Sequence, residues 1–153
     1  AGGIDTIIVT SDWVLMPDHV EIALVAGDGN TIVHGNAGNN LLIGNSARDT
    51  LYGGDGNDIL DGGKGGNMLY GGAGNDTFRF TEPSKGKDFI ADFDAGEDMI
   101  LFDQDLVGGA TIAEVLASAT MGDYGVDITF GDLNFTLART ELADLSEASF
   151  GVF

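Results

Sequence analysis

Six side chains at nine-residue intervals carry the hard-oxygen chemistry of this chain: Thr31, Asn40, Asp49, Asp58, Asn67 and Asp76. Each closes a six-residue, mostly glycine-rich run. The fullest runs are Gly53-Gly54-Asp55-Gly56-Asn57-Asp58 and Gly71-Gly72-Ala73-Gly74-Asn75-Asp76. Glycine lets the backbone bend with φ > 0 and leaves carbonyls pointing outward. Carbonyls joined by a carboxylate on every second turn make an oxygen cage, which suits Ca²⁺ and not Zn²⁺. An ion between turns eighteen residues apart pairs Asp58 with Asp76, Asn40 with Asp58, Asp49 with Asn67 and Thr31 with Asp49. The last pair is the poorest, because Thr31 is neutral and Ala47-Arg48 interrupts its turn. The candidate metal residues are therefore Asp58, Asp76, Asp49, Asn40 and Asn67, with Gly53, Asp55, Gly56, Gly71 and Gly74 from the turns.

The elements that must position these oxygens follow from the same period. Six units run without insertion: 26–34, 35–43, 44–52, 53–61, 62–70 and 71–79. Unit position 8 is always apolar (Val33, Leu42, Leu51, Leu60, Leu69, Phe78). One apolar residue in nine cannot build an amphipathic helix, but it suits a very short strand alternating with a turn. Two units make one coil, and the position-8 side chains stack inward as two files. A flexible Gly/Asn linker would not hold phase over six units. Positions 7 and 9 face outward. His34, Tyr52 and Tyr70 then form one outer file, either covered by a flanking segment or open as a shelf for sugar rings.

Composition narrows the classes. The chain has 153 residues, a formal net charge of −19 and no cysteine. Such a charge excludes nucleic acid and repels itself when no cation is present. Without disulfides, a metal is the available staple. No apolar run is long enough for a membrane span, and no standard signal peptide is visible. The chain begins without Met, and it reads as a module of a longer protein. Five of its six basic residues cluster in sequence: Arg48, Lys64, Arg79, Lys85 and Lys87. They form either a patch for an anionic polymer or a set of local partners for carboxylates.

Outside the repeat, Thr6 to Thr10, Trp13 to Met16 and Val20 to Val25 read as strands in irregular first coils. Leu15 and Leu24, at nine-residue steps before Val33, extend the inner file. After Phe80 come a polar loop, a strand from Asp88 and another over Met99 to Phe102. Between them Asp92, Asp94 and Asp98 read as a solvated turn, with a further calcium site as the alternative. Thr111-Ile112-Ala113-Glu114 is a capping box that starts a short helix. Val126 to Phe130 and Asn134 to Leu137 form a hairpin. The reading is all-β: a β-roll over 26–79, an irregular N-terminal cap over 1–25 and a small mixed β cap with one helix over 80–153. His19 and His34 are isolated, and no catalytic spacing is present.

The Gly-Gly-x-Gly-x-Asp-x-apolar-x units resemble the RTX (hemolysin-type) calcium-binding repeats, whose fold is a right-handed parallel β-roll. Asn36, Asn45 and Ala47 in place of glycine, and Thr31, Asn40 and Asn67 in place of aspartate, depart from that pattern. Asp88-Phe89-Ile90 through Leu101 is similar to the segment after the repeats in serralysin-type C-terminal domains. The resemblance implies a non-catalytic, secreted module that binds several Ca²⁺ ions and folds on calcium after type I secretion. Three parents fit. Repeat modules of alginate epimerases are similar, and there the module helps a catalytic module hold its anionic polysaccharide; Tyr52, Tyr70, His34, Lys64, Arg79 and Arg48 are the candidate contacts. A secreted metalloprotease or lipase, with an export and folding domain, is the second. A structural segment of an adhesin is the third.

Overall fold

The computed structural model describes residues 2–153. The strands are β1 (Thr6–Val9), β2 (Trp13–Leu15), β3 (Ile22–Val25), β4 (Ile32–His34), β5 (Leu41–Ile43), β6 (Thr50–Asp55), β7 (Ile59–Asp61), β8 (Met68–Ala73) and β9 (Thr77–Phe80). They continue as β10 (Asp88–Ile90), β11 (Met99–Phe102), β12 (Thr120–Met121), β13 (Gly125–Phe130), β14 (Leu133–Ala138) and β15 (Phe150–Val152). Successive strands up to β11 alternate between two sheets. One sheet has the order β1-β3-β5-β7-β9-β11-β15, the other β12-β13-β14-β10-β8-β6-β4-β2. Pairing is parallel except at the β12-β13-β14 end. The result is a parallel β-solenoid of about 5 turns.

The two inner files make its core. Val33, Leu51 and Leu69 stand in register on one sheet, and Leu42, Leu60 and Phe78 on the other; each is at most 1% exposed. Ile90 and Leu137 prolong the first file, Ile100 and Phe150 the second. Both sheets therefore run on past residue 79. Burying each such side chain contributes about 1.5–3 kcal/mol, so this narrow interior has few large contributors per coil.

The inner file begins on residues other than those expected. Val14 pairs with Val33 and Ala23 with Leu42, whereas Leu15 is 59% exposed. From Ala23 to Val33 the spacing is ten residues, one more than the repeat, and β3 is one residue longer than β4. A one-residue slip turns every side chain of a strand to its other face, so Leu15 and Leu24 lie off the core.

The tail behaves as its local signals suggest. Thr111 caps α1 (Ile112–Leu116) in a complete capping box with Glu114. A short 3-10 turn at Gln104–Val107 precedes α1, and two more, Leu142–Asp144 and Glu147–Ser149, come after β14. β13 and β14 form the hairpin, and β14 lies parallel on β10.

Candidate functional site

Turns between the sheets stack along two edges. The first edge holds turns 35–40, 53–58, 71–76 and the longer 91–98. The second holds 26–31, 44–49, 62–67 and 81–88. On both, the last side chain of a turn accepts the backbone N–H of its counterpart one coil earlier. Asp58 Oδ1 takes Asn40 N at 2.7 Å and Asp76 Oδ1 takes Asp58 N at 2.8 Å. Asp49 Oδ1 takes Thr31 N at 2.8 Å and Asn67 Oδ1 takes Asp49 N at 2.9 Å. All four expected pairs thus meet, but through a backbone amide that occupies one oxygen of each.

The second oxygen divides the turns into two kinds. Where Asn or Asp stands four residues before the closing side chain, its amide completes a ring: Asn45 N donates to Asp49 Oδ2 at 2.8 Å, Asp94 N to Asp98 Oδ2 at 2.9 Å, and Asn36 N to the single side-chain oxygen of Asn40 at 2.8 Å. In turns 53–58 and 71–76 the backbone takes φ of 119° at Gly54, 115° at Gly56, 102° at Gly72 and 127° at Gly74. Asp58 Oδ2 and Asp76 Oδ2 are left buried with no hydrogen-bond partner. A Cβ on Gly53 would collide with Asp58 Oδ2 and come within 2.5 Å of the Gly71 carbonyl, so two acceptors converge there without a donor. Cβ atoms on Gly72 and Gly74 would strike the carbonyls of Gly54 and Gly56. The turns can carry only glycine at these points because the coils pack carbonyl against backbone.

A buried unpaired acceptor costs roughly 1–3 kcal/mol, and more when charged. Facing acceptors with no donor are a fitting place for a hard cation. Calcium fits this set, since its ligands are carboxylate and carbonyl oxygens. Among the described residues no three carboxylate or imidazole side chains converge on one point. Turn 53–58 offers Asp55 and Asp58, turn 71–76 offers Asp76, and the remaining ligands there would be backbone carbonyls. Burial pushes the Asp58 carboxyl up to about 6, against the hydrogen bond from Asn40 and with the Asp76 and Asp55 charges adding to it. Burial likewise raises Asp76 and Asp49.

The ladder continues beyond the nine-residue repeat. Asp88 Oδ1 accepts Asn67 N at 2.7 Å and Asp98 Oδ1 accepts Asp76 N at 2.9 Å, across separations of 21 and 22 residues. Burial pushes both carboxyls up to about 6. Asp98 is buried, not solvated, and Asp92 binds the amides of Gly71 and Gly72. The role of Asp88 was hidden by the longer connections. An Asp-x-apolar triplet (Asp88-Phe89-Ile90, Asp98-Met99-Ile100) is the signal that survives.

On the second edge the protein's own donors reach these acceptors. Asn67 Nδ2 donates to Asp88 Oδ1 at 3.0 Å, and Arg48 Nε reaches the Gly66 carbonyl at 3.4 Å. The basic cluster divides likewise. Lys64 pairs with Glu82 at 2.9 Å, Arg79 with Asp61 at 3.3 Å and Lys87 with Asp127 at 2.6 Å. Asp61, expected outward, is 3% exposed because Arg79 and Thr81 of the next coil close over it. Arg48, Lys85 and Lys87 line one groove on this edge.

His34, Tyr52 and Tyr70 do form an outer file. Their rings stack on one another, His34 to Tyr52 at 4.5 Å and 4°, Tyr52 to Tyr70 at 4.5 Å and 15°. Trp13 adjoins at 6.0 Å, tilted by 55°. The inner ring faces are thus covered by neighbouring rings, so the file is not a shelf along its length.

The model of the RTX calcium-binding nonapeptide repeat matches residues 25–60 and 43–78. The solution structure of the AlgE6R3 subunit from the Azotobacter vinelandii mannuronan C5-epimerase is similar to this chain. It is 31% identical, with a TM-score of 0.61 over 84% of this chain and 81% of that one. No curated protein matches. Among the described residues no helix is long and apolar enough to cross a membrane.

Proposed function

Since the chain belongs to the RTX calcium-binding repeat family, we propose that it is a non-catalytic module of a larger secreted bacterial protein, folded by Ca²⁺ and assisting a polysaccharide-modifying catalytic module. The observation that carries the calcium reading is the pair of buried, partnerless oxygens, Asp58 Oδ2 and Asp76 Oδ2, in successive turns of one edge. Asp58 and Asp76 would hold the ion with carbonyls of turns 53–58 and 71–76. Bound there, it supplies positive charge between oxygens that otherwise repel. Asn40 and Asp49 are poorer ligands because the amides of Asn36 and Asn45 occupy their oxygens, and Asn67 because its single side-chain oxygen already accepts Asp49 N.

Calcium energetics suit a switch between compartments. One site with calcium at a hundred times its Kd contributes about 2.7 kcal/mol, so a few sites match the stability of an ordinary domain. Extracellular calcium modules have Kd of roughly 10⁻⁴–10⁻³ M, far above cytosolic calcium. An expanded acidic chain would thread a type I exporter and wind up outside. The neighbouring epimerase subunit supports an anionic polymer such as alginate as the partner. The alternative is an export and folding domain of a protease or lipase, or an adhesin segment. The internal ion pairs of Lys64, Arg79 and Lys87 favour it, because they remove three cations from polymer contact. Circular dichroism with chelator and then millimolar calcium tests the switch: a β spectrum that is unchanged by chelator overturns it.

A further inference from the structure

The ring file stops where room for another ring begins. Tyr70 is its last member, and the neighbouring outward positions carry small residues. Ala91, whose amide bonds the Leu69 carbonyl at 2.9 Å, follows β10 beside Tyr70. Ala138 of β14 comes next, by the Ile90–Leu137 register, and Gly125 of β13 after it. Strands lie about 4.8 Å apart, so three successive strand positions beyond Tyr70 carry no ring. A groove of about 480 Å³ occupies that gap, lined by Tyr70, Phe89, Ala91, Tyr124 and Arg139 with Asp92.

Arg139 stands over this groove in a conformation that needs explaining. Its φ is 60°, the left-handed region, which costs a non-glycine residue about 1–2 kcal/mol. Its amide is held by the Tyr124 carbonyl at 2.8 Å. Its guanidinium makes no ion pair among the described residues, although the protein has 25 acidic side chains. Asp92 in the groove is taken by the amides of Gly71 and Gly72. Tyr124 is 72% exposed and meets Phe89 edge-on at 6.1 Å. Strain held beside an unpaired cation and an open ring face is the signature of a binding position.

We propose that this groove binds one carboxylate-bearing sugar unit, its apolar face on the free side of Tyr70 and its carboxylate on Arg139. The proposal rests on the anionic-polysaccharide reading above and gives that polymer a fixed point. A guanidinium–carboxylate pair fixes orientation, and a Tyr face suits a pyranose ring.

The test is calorimetry with hexamannuronate in millimolar calcium, with neutral cellohexaose beside it. Hexamannuronate is expected to bind at least tenfold more tightly than cellohexaose. Its addition is expected to shift the backbone amide resonances of Ala91, Tyr124 and Arg139. Arg139→Gly suits the positive φ and removes the cation; Ala91→Leu fills the gap. Each is expected to weaken binding at least tenfold while calcium-induced β structure by circular dichroism is retained. Binding that is unaffected in both variants, with shifts elsewhere, overturns the groove and leaves the polymer reading standing. No binding of hexamannuronate to the unaltered chain overturns both.

Discussion

Asp58 accepts the Asn40 amide at 2.7 Å through one carboxylate oxygen and turns the other toward the Gly71 carbonyl with no donor between them. The first contact winds the coils; the second is a local repulsion that a bound cation relieves. Replacing the charge therefore has opposite effects with and without metal. Asp58→Asn is expected to weaken calcium-induced folding severalfold, read as a higher calcium midpoint in circular dichroism. In chelator it is expected to stabilise whatever roll persists, by roughly 1–3 kcal/mol in denaturant titration. Equal destabilisation in both conditions would show that Asp58 is a hydrogen-bonding residue alone.

Protons should partly replace calcium. Asp58, Asp88 and Asp98 have carboxyls pushed up to about 6 from 3.8 by burial. The metal-free folded state then holds more protons than the unfolded chain between those values. Its stability rises as pH falls through 6 and is lost as pH rises. In chelator, β structure is expected to increase from pH 7 down to 4.5; in calcium, stability is expected to decrease over the same range. A chelator profile that is flat or rises with pH contradicts the assignment.

Glycine is required by contact at some turns and not at others. Gly72→Ala would put a Cβ into the Gly54 carbonyl at a φ of 102°, and is expected to abolish calcium-induced folding at millimolar calcium. Gly29→Ala meets nothing within 4 Å and is expected to leave the calcium midpoint unchanged. The two midpoints, compared by fluorescence or circular dichroism, check this.

The narrow core concentrates its stability in few side chains. Leu60→Ala is expected to cost about 2–5 kcal/mol in calcium. Outward Ile59→Ala on the same strand is expected to cost under about 1.5 kcal/mol. Urea denaturation of both variants is the measurement, and comparable losses would contradict the two-file interior.

Tyr52 sits between two rings, so removing it breaks two stacks. Tyr52→Ala is expected to lower stability by about 1–3 kcal/mol, from roughly 0.5–1.5 per aromatic pair. Because its faces are covered, the same change is expected to leave hexamannuronate affinity within about twofold. A tenfold loss in calorimetry would return the file to the role of a sugar shelf.

Where the period holds, the sequence was legible almost residue by residue. Val33 to Phe78 occupy the core in the expected two files, and the eighteen-residue partners meet. Legibility failed where the count changes. One added residue between Ala23 and Val33 moved the inner file from Leu15 to Val14, and the longer turn before β10 concealed Asp88. It failed too where a second coil acts on the first: Arg79 and Thr81 bury Asp61. Asn36 and Asn45 were visible as departures from glycine, but that their amides close the turn on Asn40 and Asp49 was not. Arg139 stood apart from the basic cluster in sequence, and only the β13–β14 hairpin brings it beside Tyr70.

The alternation of two unlike edges restricts how such a module can be lengthened. Inserting or deleting eighteen residues keeps every strand in its own sheet and every turn on its own edge. Nine would move the partnerless carboxylates onto the side held by Arg48 and Asn67 and swap the inner files. Growth by duplication is thus quantised in whole windings, each adding about 4.8 Å of height and one further pair of turns.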